Sequence, residues 1–181
     1  ARTEPTYFEA FRSKERHVAV RMFLVPNPKH RSHPWEVLGR MITYLKGAST
    51  QKGDQYWIVV DRDAWDAADL DAVCGEAARR QINVALSNPC FELWLWLHLR
   101  DYRPFRDRHE CQRSLAEALP GYQPDEKAGF DPVSLVPHVQ SAIRRARVLD
   151  HEPERPWPTY HASRVSRLME AWLRANRIEV F

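Results

Sequence analysis

The stretch "IVVDRDAWD", residues 58–66, decides the fold and raises the question of function. Its three β-branched residues continue the apolar run "YWIVV", which predicts a central parallel strand covered on both faces. The strand ends on Asp61 and Asp63, and a buried carboxylate is costly unless a partner compensates its charge. The two acids therefore either cap the next helix or hold a ligand, while Asp66 is the better start signal for that helix.

Strands and helices alternate around this stretch. The apolar spacing predicts a helix over 3–14, a strand over 17–26, a helix over 35–46, a strand over 56–60, a helix over 66–80, a strand over 82–87 and a helix over 90–99. This order predicts an α/β fold with a parallel sheet and flanking helices. Ligands of such sheets bind beyond the carboxyl ends of the strands, where Asp61, Asp63, Ser87 and Asn88 lie.

The second half of the chain has a different character. It predicts helices near 108–119 and over 133–149 and 163–176, separated by loops that contain proline. No strand pattern is convincing before "IEVF" at the end of the chain. We therefore expect an α/β core over residues 1–100 and a mainly helical extension over 101–181 packed on that core.

Composition limits the class of protein. A net charge of +3 and a pI near 8.9 permit a nucleic-acid partner without requiring one. Cys74, Cys90 and Cys111 form no CxxC pair, which argues against a zinc knuckle or a disulfide framework and favours a reducing, cytoplasmic compartment. No apolar run reaches the roughly 18 residues of a membrane span, so we expect no membrane partner. The chain also lacks the glycine-rich phosphate loop of an NTPase and the GxSxG of an α/β-hydrolase.

Acidic residues are the first candidates for chemistry. Asp61 and Asp63 project to the same side of an extended chain, and Mg²⁺ prefers one or two carboxylates plus waters and substrate phosphates. The alternative is that Asp63 caps the following helix and Asp61 bonds a loop amide. Glu4 could serve such a site or only favour the dipole of its helix. Glu92, within the apolar "CFELWLWLHL", needs a partner, for which a salt bridge is the simplest choice.

Arginines are the second candidates. Arg144 and Arg145 lie on one predicted helix and Arg164 and Arg167 on the next, where they could grip phosphates. A solvated helix face is the alternative, because acidic residues almost balance the arginines of this region. Arg62, between the two aspartates, either steadies a phosphate or pairs with its acidic neighbours.

Several motifs together resemble a known family. They are "TEPTYFEAF", "VVDRD" and "SNPCFELWLWLH", followed by "RHECQRSL", "LPGY" and "AIRRA". In this order the chain is similar to the RloB-like proteins, a Toprim-type family of bacterial defence and restriction loci. The resemblance implies a Toprim-like fold in which a DxD, matched here by Asp61 and Asp63, binds Mg²⁺ or Mn²⁺. In the related nucleases of the overcoming-lysogenization-defect type a further glutamate serves the metal, and Glu4 matches its position.

The resemblance implies a function as well. It implies a metal-dependent nuclease that cleaves DNA or RNA, tRNA included, as an anti-phage or abortive-infection effector. Glu4, Asp61 and Asp63 would be its catalytic and metal-binding residues, supported by Ser87, Asn88 and Glu92. An ATPase from the same locus would be a partner. The alternative is a non-catalytic Toprim-like module that binds a partner ATPase or nucleic acid.

One element of the family pattern is not in this sequence. The principal Toprim glutamate follows a strand that would precede "TE", and the sequence begins at Ala1, after that point. We therefore expect that the natural protein has residues before Ala1, which carry the first strand of the sheet and this glutamate.

Overall fold

The structure is a computed structural model that describes residues 3–12, 33–124 and 129–176. The described residues form α1 (Thr3–Arg12), α2 (Pro34–Gly47), β1 (Tyr56–Asp61), α3 (Ala67–Arg79), β2 (Ile82–Asn88), α4 (Glu92–Leu99), α5 (Arg108–Ala118), a 3₁₀ helix (Pro132–His138), α6 (Val139–Leu149), β3 (Ala162–Ser163) and α7 (Val165–Ala175). From α1 to α5 every described element was predicted. The strand predicted over 17–26 and the segment "IEVF" lie outside the described residues.

In the described part of the sheet, β2 lies between β1 and β3. The strands β1 and β2 pair in parallel, from Tyr56 opposite Ile82 to Asp61 opposite Ser87. The short β3 joins the other edge of β2 in the antiparallel sense, with Ser163 opposite Ser87. The prediction of a parallel sheet therefore holds for β1 and β2 only. The sequence missed β3 because two residues are too few to show a strand pattern.

Helices cover both faces of the sheet, as the sequence predicted. On one face, Leu38 of α2 and Val73 of α3 pack against Ile58 and Ile82. On the other face, Ala85 of β2 joins a large apolar cluster built around α4. From Tyr56 to Val60, β1 is apolar on both sides because both sides are covered, and ligands of such sheets bind beyond the ends of the strands.

Helix α4 is the centre of the larger core. Its residues from Glu92 to His98 are all buried, and its cluster unites Tyr7 of α1 with residues of the second half such as Leu135 and Ile143. The predicted boundary near residue 100 stays a prediction. Although α4 is strongly apolar, no helix in the described part of the chain is long and apolar enough to cross a lipid bilayer.

The prediction of a single helix over 133–149 is wrong. The chain forms a 3₁₀ helix over Pro132–His138, whose first turn is capped by Asp131, and α6 begins only at Val139. Pro137 lies inside this segment, and proline disrupts an α-helix because it lacks a backbone N–H and clashes with the preceding turn. The described chain is therefore mixed α/β and mostly helical.

Candidate active site

Four carboxylates converge at the carboxyl ends of β1 and β2. Asp61 ends β1, Asp63 follows two residues later, Glu92 begins α4 just after β2, and Glu4 lies in the first turn of α1. The negative charges of Glu4, Glu92 and Asp63 all act on Asp61. We call these four residues the acidic cluster. The sequence had proposed three of them as ligands and Glu92 as a supporting residue.

Aromatic packing brings Glu4 to this position. Tyr7 of α1 is fully buried, and its ring centroid lies 5.7 Å from that of Phe91 and 6.2 Å from that of Trp94. Glu4 precedes Tyr7 by three residues, so the two side chains share one face of α1. Docking of α1 on α4 therefore carries Glu4 to the amino-terminal end of α4, where Glu92 lies.

A buried histidine fixes this docking. His98 Nδ1 donates to the carbonyl oxygen of Trp94 at 2.9 Å, which leaves Nε2 to accept from the Tyr7 hydroxyl at 3.1 Å. Burial lowers the pKa of His98 to about 3, so the imidazole is neutral at ordinary pH. Both ring nitrogens are thus satisfied, and the hydrogen bond ties α1 to α4 within the core.

Asp61 is the most perturbed member of the acidic cluster. Its Oδ1 oxygen is closed to solvent and has no hydrogen-bond partner, although the residue as a whole is half-buried. Burial raises the pKa of Asp61 well above its usual range, and repulsion from Glu4, Glu92 and Asp63 adds to the rise. A hydrogen bond from the backbone N–H of Phe91 acts in the opposite direction. A carboxylate in such surroundings is stabilised by a proton or by a cation.

Asp63 has a cationic partner that the sequence did not reveal. The guanidinium NH1 of Arg108, at the start of α5, forms an ion pair with Asp63 Oδ1. This hydrogen bond raises the pKa of Arg108, while the Nε of the same side chain is closed to solvent and has no hydrogen-bond partner. The only sequence signal for Arg108 was its place at the start of "RHECQRSL".

The helix-capping alternative for Asp63 does not hold. Asp66 is the N-cap of α3, where its Oδ1 accepts a hydrogen bond from the backbone N–H of Ala68 at 2.7 Å. The prediction that Asp66 starts this helix is confirmed. Asp63 itself lies outside the helix, and its backbone is left-handed with a φ of 44°. Its carboxylate is therefore free of any capping role.

Glu92, Ser87 and Asn88 each form a hydrogen bond with the second half of the chain. Instead of the expected salt bridge, Glu92 Oε1 accepts a hydrogen bond from the Tyr122 hydroxyl at 3.0 Å. Ser87 Oγ contacts Ser163 Oγ at 2.7 Å, and Asn88 Nδ2 donates to the carbonyl oxygen of Pro158 at 3.2 Å. Ser87 and Asn88 thus hold β2 to the later chain, whereas Glu92 belongs to the acidic cluster.

The acidic cluster fits a hard cation better than a transition metal. Among the described residues, no group of three or more His, Cys, Asp and Glu side chains is already arranged to hold a metal ion. Mg²⁺ does not need such a cage, because it binds through one or two carboxylates and keeps several waters. The unpartnered Oδ1 of Asp61 is a suitable oxygen donor, and Arg108 occupies Asp63 in this arrangement.

Two of the predicted phosphate-binding arginines, Arg164 and Arg167, form ion pairs with Asp150. Arg164 is 1% exposed, and its guanidinium donates to Asp150 Oδ1 at 3.0 Å and to the carbonyl oxygen of Glu152 at 2.7 Å. Arg167 donates to Asp150 Oδ2 at 2.6 Å. Both side chains compensate the mostly buried Asp150. Arg164 is buried in this arrangement, whereas the side chain of Arg167 is 38% exposed, and its contact with nucleic acid stays a prediction.

The other three predicted arginines differ in their contacts and exposure. Arg145 donates to the carbonyl oxygen of Leu97 at 2.8 Å, near the carboxyl-terminal end of α4. Arg62 donates to the backbone oxygen of Trp65, and its guanidinium lies 5.3 Å from the ring centroid of Trp157. Its proposed contact with a phosphate stays a prediction. Arg144 is exposed, although its guanidinium donates to Ser141 Oγ at 3.0 Å, and it stays a candidate for nucleic-acid contact.

Comparison with known proteins gives one match. The sequence profile of the family described as RloB-like protein matches residues 1–171. No curated protein and no solved structure gives a significant match to the chain. The match covers the acidic cluster together with Tyr122 and Arg108.

Proposed function

The chain belongs to the RloB-like protein family, and we propose that it is a nuclease that hydrolyses phosphodiester bonds of DNA or RNA with a divalent metal ion. The observation that carries the proposal is the buried, unpartnered Asp61 oxygen among three further carboxylates. This arrangement costs stability unless a cation compensates it. Its place at the carboxyl ends of parallel strands is the usual place for ligands in α/β sheets.

In the proposal, three acids are metal ligands and the fourth has a supporting role. Asp61 and Asp63 would hold Mg²⁺ or Mn²⁺ together with Glu4. A bound metal ion would lower the pKa of water and stabilise charge on the phosphate. Glu92, whose Oε1 is fixed by the Tyr122 hydroxyl, would add negative charge and accept a hydrogen bond from water.

Substrate and biological role are further parts of the proposal. Arg144 is the exposed candidate for backbone phosphate contact. The roles in anti-phage defence and abortive infection, and a partner ATPase from the same locus, rest on the family resemblance alone. The proposal includes tRNA among the substrates on the same basis.

A cleavage assay tests the proposal. The protein is incubated with supercoiled plasmid DNA and with total tRNA, in Mg²⁺, in Mn²⁺ and in EDTA. We expect cleavage of at least one substrate that stops in EDTA and in the Asp61→Ala, Asp63→Ala double variant. Asp69→Ala is the matched control, because Asp69 is an exposed acid on α3. Cleavage that survives in the double variant would refute the assignment of the site.

A second candidate function is a non-catalytic module that binds a partner ATPase or nucleic acid. The observation that favours it is the ion pair between Arg108 and Asp63, because an aspartate held by an arginine needs no metal. The two candidates differ in one measurable property. A non-catalytic module would bind its partner equally well in EDTA and in the Asp61→Ala, Asp63→Ala variant.

A further inference from the structure

We propose that Arg108 is an exchangeable counter-ion of the acidic cluster, which the divalent metal ion displaces from Asp63. Arg108 would thereby set the metal concentration at which the cluster is filled. This inference rests on the proposed metal-dependent function, and it assigns a positioning residue and a means of regulation to the same site.

The ion pair is accessible enough to exchange. The side chain of Arg108 is 40% exposed and that of Asp63 is 32% exposed. Ion pairs of this exposure contribute little to stability, since solvent screens both charges. The backbone of Arg108 is nevertheless held in place, because Asp107 caps α5 by accepting from the N–H of Glu110 at 2.8 Å. The guanidinium can therefore leave Asp63 without disturbing the helix.

Comparison with Arg164 distinguishes an exchangeable arginine from a structural one. Arg164 is 1% exposed, and its guanidinium donates to Asp150 and to the carbonyl oxygens of Glu152 and Arg155. Arg108 has Asp63 as its ion-pair partner, and its Nε is buried without an acceptor. Because Arg108 has fewer hydrogen-bond partners than Arg164, its ion pair with Asp63 is the weaker of the two ion pairs.

Charge gives the reason for the exchange. The acidic cluster brings together four carboxylates, and in the metal-free protein Arg108 supplies positive charge beside them. A divalent cation that binds Asp63 must compete with the guanidinium for its oxygen and is repelled by the guanidinium charge. Removal of Arg108 should therefore strengthen metal binding, whereas general damage to the site would weaken it.

Calorimetric titration of the full chain with Mn²⁺ tests the inference. We expect Arg108→Gln to bind Mn²⁺ roughly three- to tenfold more tightly than the wild type. Arg108→Lys keeps a positive charge and should stay close to the wild type. Arg106→Gln is the matched control for long-range charge, because Arg106 is 77% exposed and contacts Asp107. Thermal unfolding of each variant verifies that it is folded.

The outcomes separate this inference from the proposed function. Equal or weaker Mn²⁺ binding by Arg108→Gln overturns the inference, and so does equal tightening in Arg106→Gln. If the wild type binds Mn²⁺ and Asp61→Asn does not, the metal site stands whatever Arg108 does. If neither the wild type nor Arg108→Gln binds Mn²⁺, both the metal site and the role of Arg108 are refuted.

Discussion

Acid should loosen the attachment of α1 to α4 through His98. The folded protein holds His98 neutral, with a pKa of about 3, whereas the ordinary value is 6.5. Between these values the unfolded chain binds a proton that the folded chain does not bind. The stabilisation from neutral His98 is therefore complete above pH 6.5 and is lost progressively as the pH falls toward 3. Since α1 carries Glu4, the loss also concerns the acidic cluster.

The magnitude follows from the two pKa values. Each pH unit below 6.5 costs about 1.4 kcal/mol of unfolding free energy until the folded pKa is reached. From pH 7.5 to pH 4.5 the expected loss through His98 is about 2.7 kcal/mol. His98 is 2% exposed and bonded through both ring nitrogens, so solvent screening does not reduce this figure much.

Urea unfolding at pH 7.5, 5.5 and 4.5 measures the effect in the wild type and in His98→Asn. The raised pKa of Asp61 acts in the opposite direction, because the folded chain gains stability when Asp61 takes up a proton at lower pH. Both proteins contain Asp61, so the difference between their unfolding free energies isolates His98. We expect the wild type to lose about 2.7 kcal/mol relative to the variant over this range.

A difference that stays constant from pH 7.5 to 4.5 would refute the reasoning. It would mean that His98 titrates near its ordinary value in the folded protein. The chemical shift of the His98 ring protons provides an independent measure, since it should not titrate between pH 8 and 4.5.

Further predictions concern single contacts, each measured by urea unfolding. Asp61→Asn should raise the unfolding free energy of the metal-free protein in EDTA by about 1–2 kcal/mol, because it removes one of the clustered charges; a loss would contradict the repulsion. Arg164→Ala should lower the unfolding free energy by about 3 kcal/mol, since the mostly buried Asp150 loses one of its two arginine partners. Arg144→Ala should leave the unfolding free energy unchanged, because Arg144 is exposed. Equal effects of these two variants would contradict the buried ion pair. Tyr122→Phe should cost about 1–3 kcal/mol, because a buried carboxylate loses its donor; an unchanged value would argue against that hydrogen bond.

Periodicity and turn chemistry were enough to predict the elements of the first half. The apolar run before Asp61 predicted β1, and Asp66 was correctly read as the cap of α3. The rule that ligands bind at the carboxyl ends of parallel strands placed Asp61 and Asp63 at a common edge. These inferences succeeded because each depends on neighbours in the sequence or on strand order alone.

Contacts between distant residues could not be predicted in this way. Arg108 lies 45 residues beyond Asp63, and the packing of α5 against α4 decides that the two meet. Tyr122 reaches Glu92 and Arg164 reaches Asp150 for the same reason. Sequence shows which groups carry charge, but the choice of partner depends on how the helices pack.

The central claim is that the acidic cluster binds a divalent metal ion through Asp61. Titration of the wild type, Asp61→Asn and Asp69→Asn with Mn²⁺, followed by calorimetry, tests this claim most directly. We predict that the wild type and Asp69→Asn bind Mn²⁺ equally well and that Asp61→Asn binds it at least about tenfold more weakly, because the variant loses a charged ligand. Equal Mn²⁺ binding by Asp61→Asn and the wild type would contradict the claim.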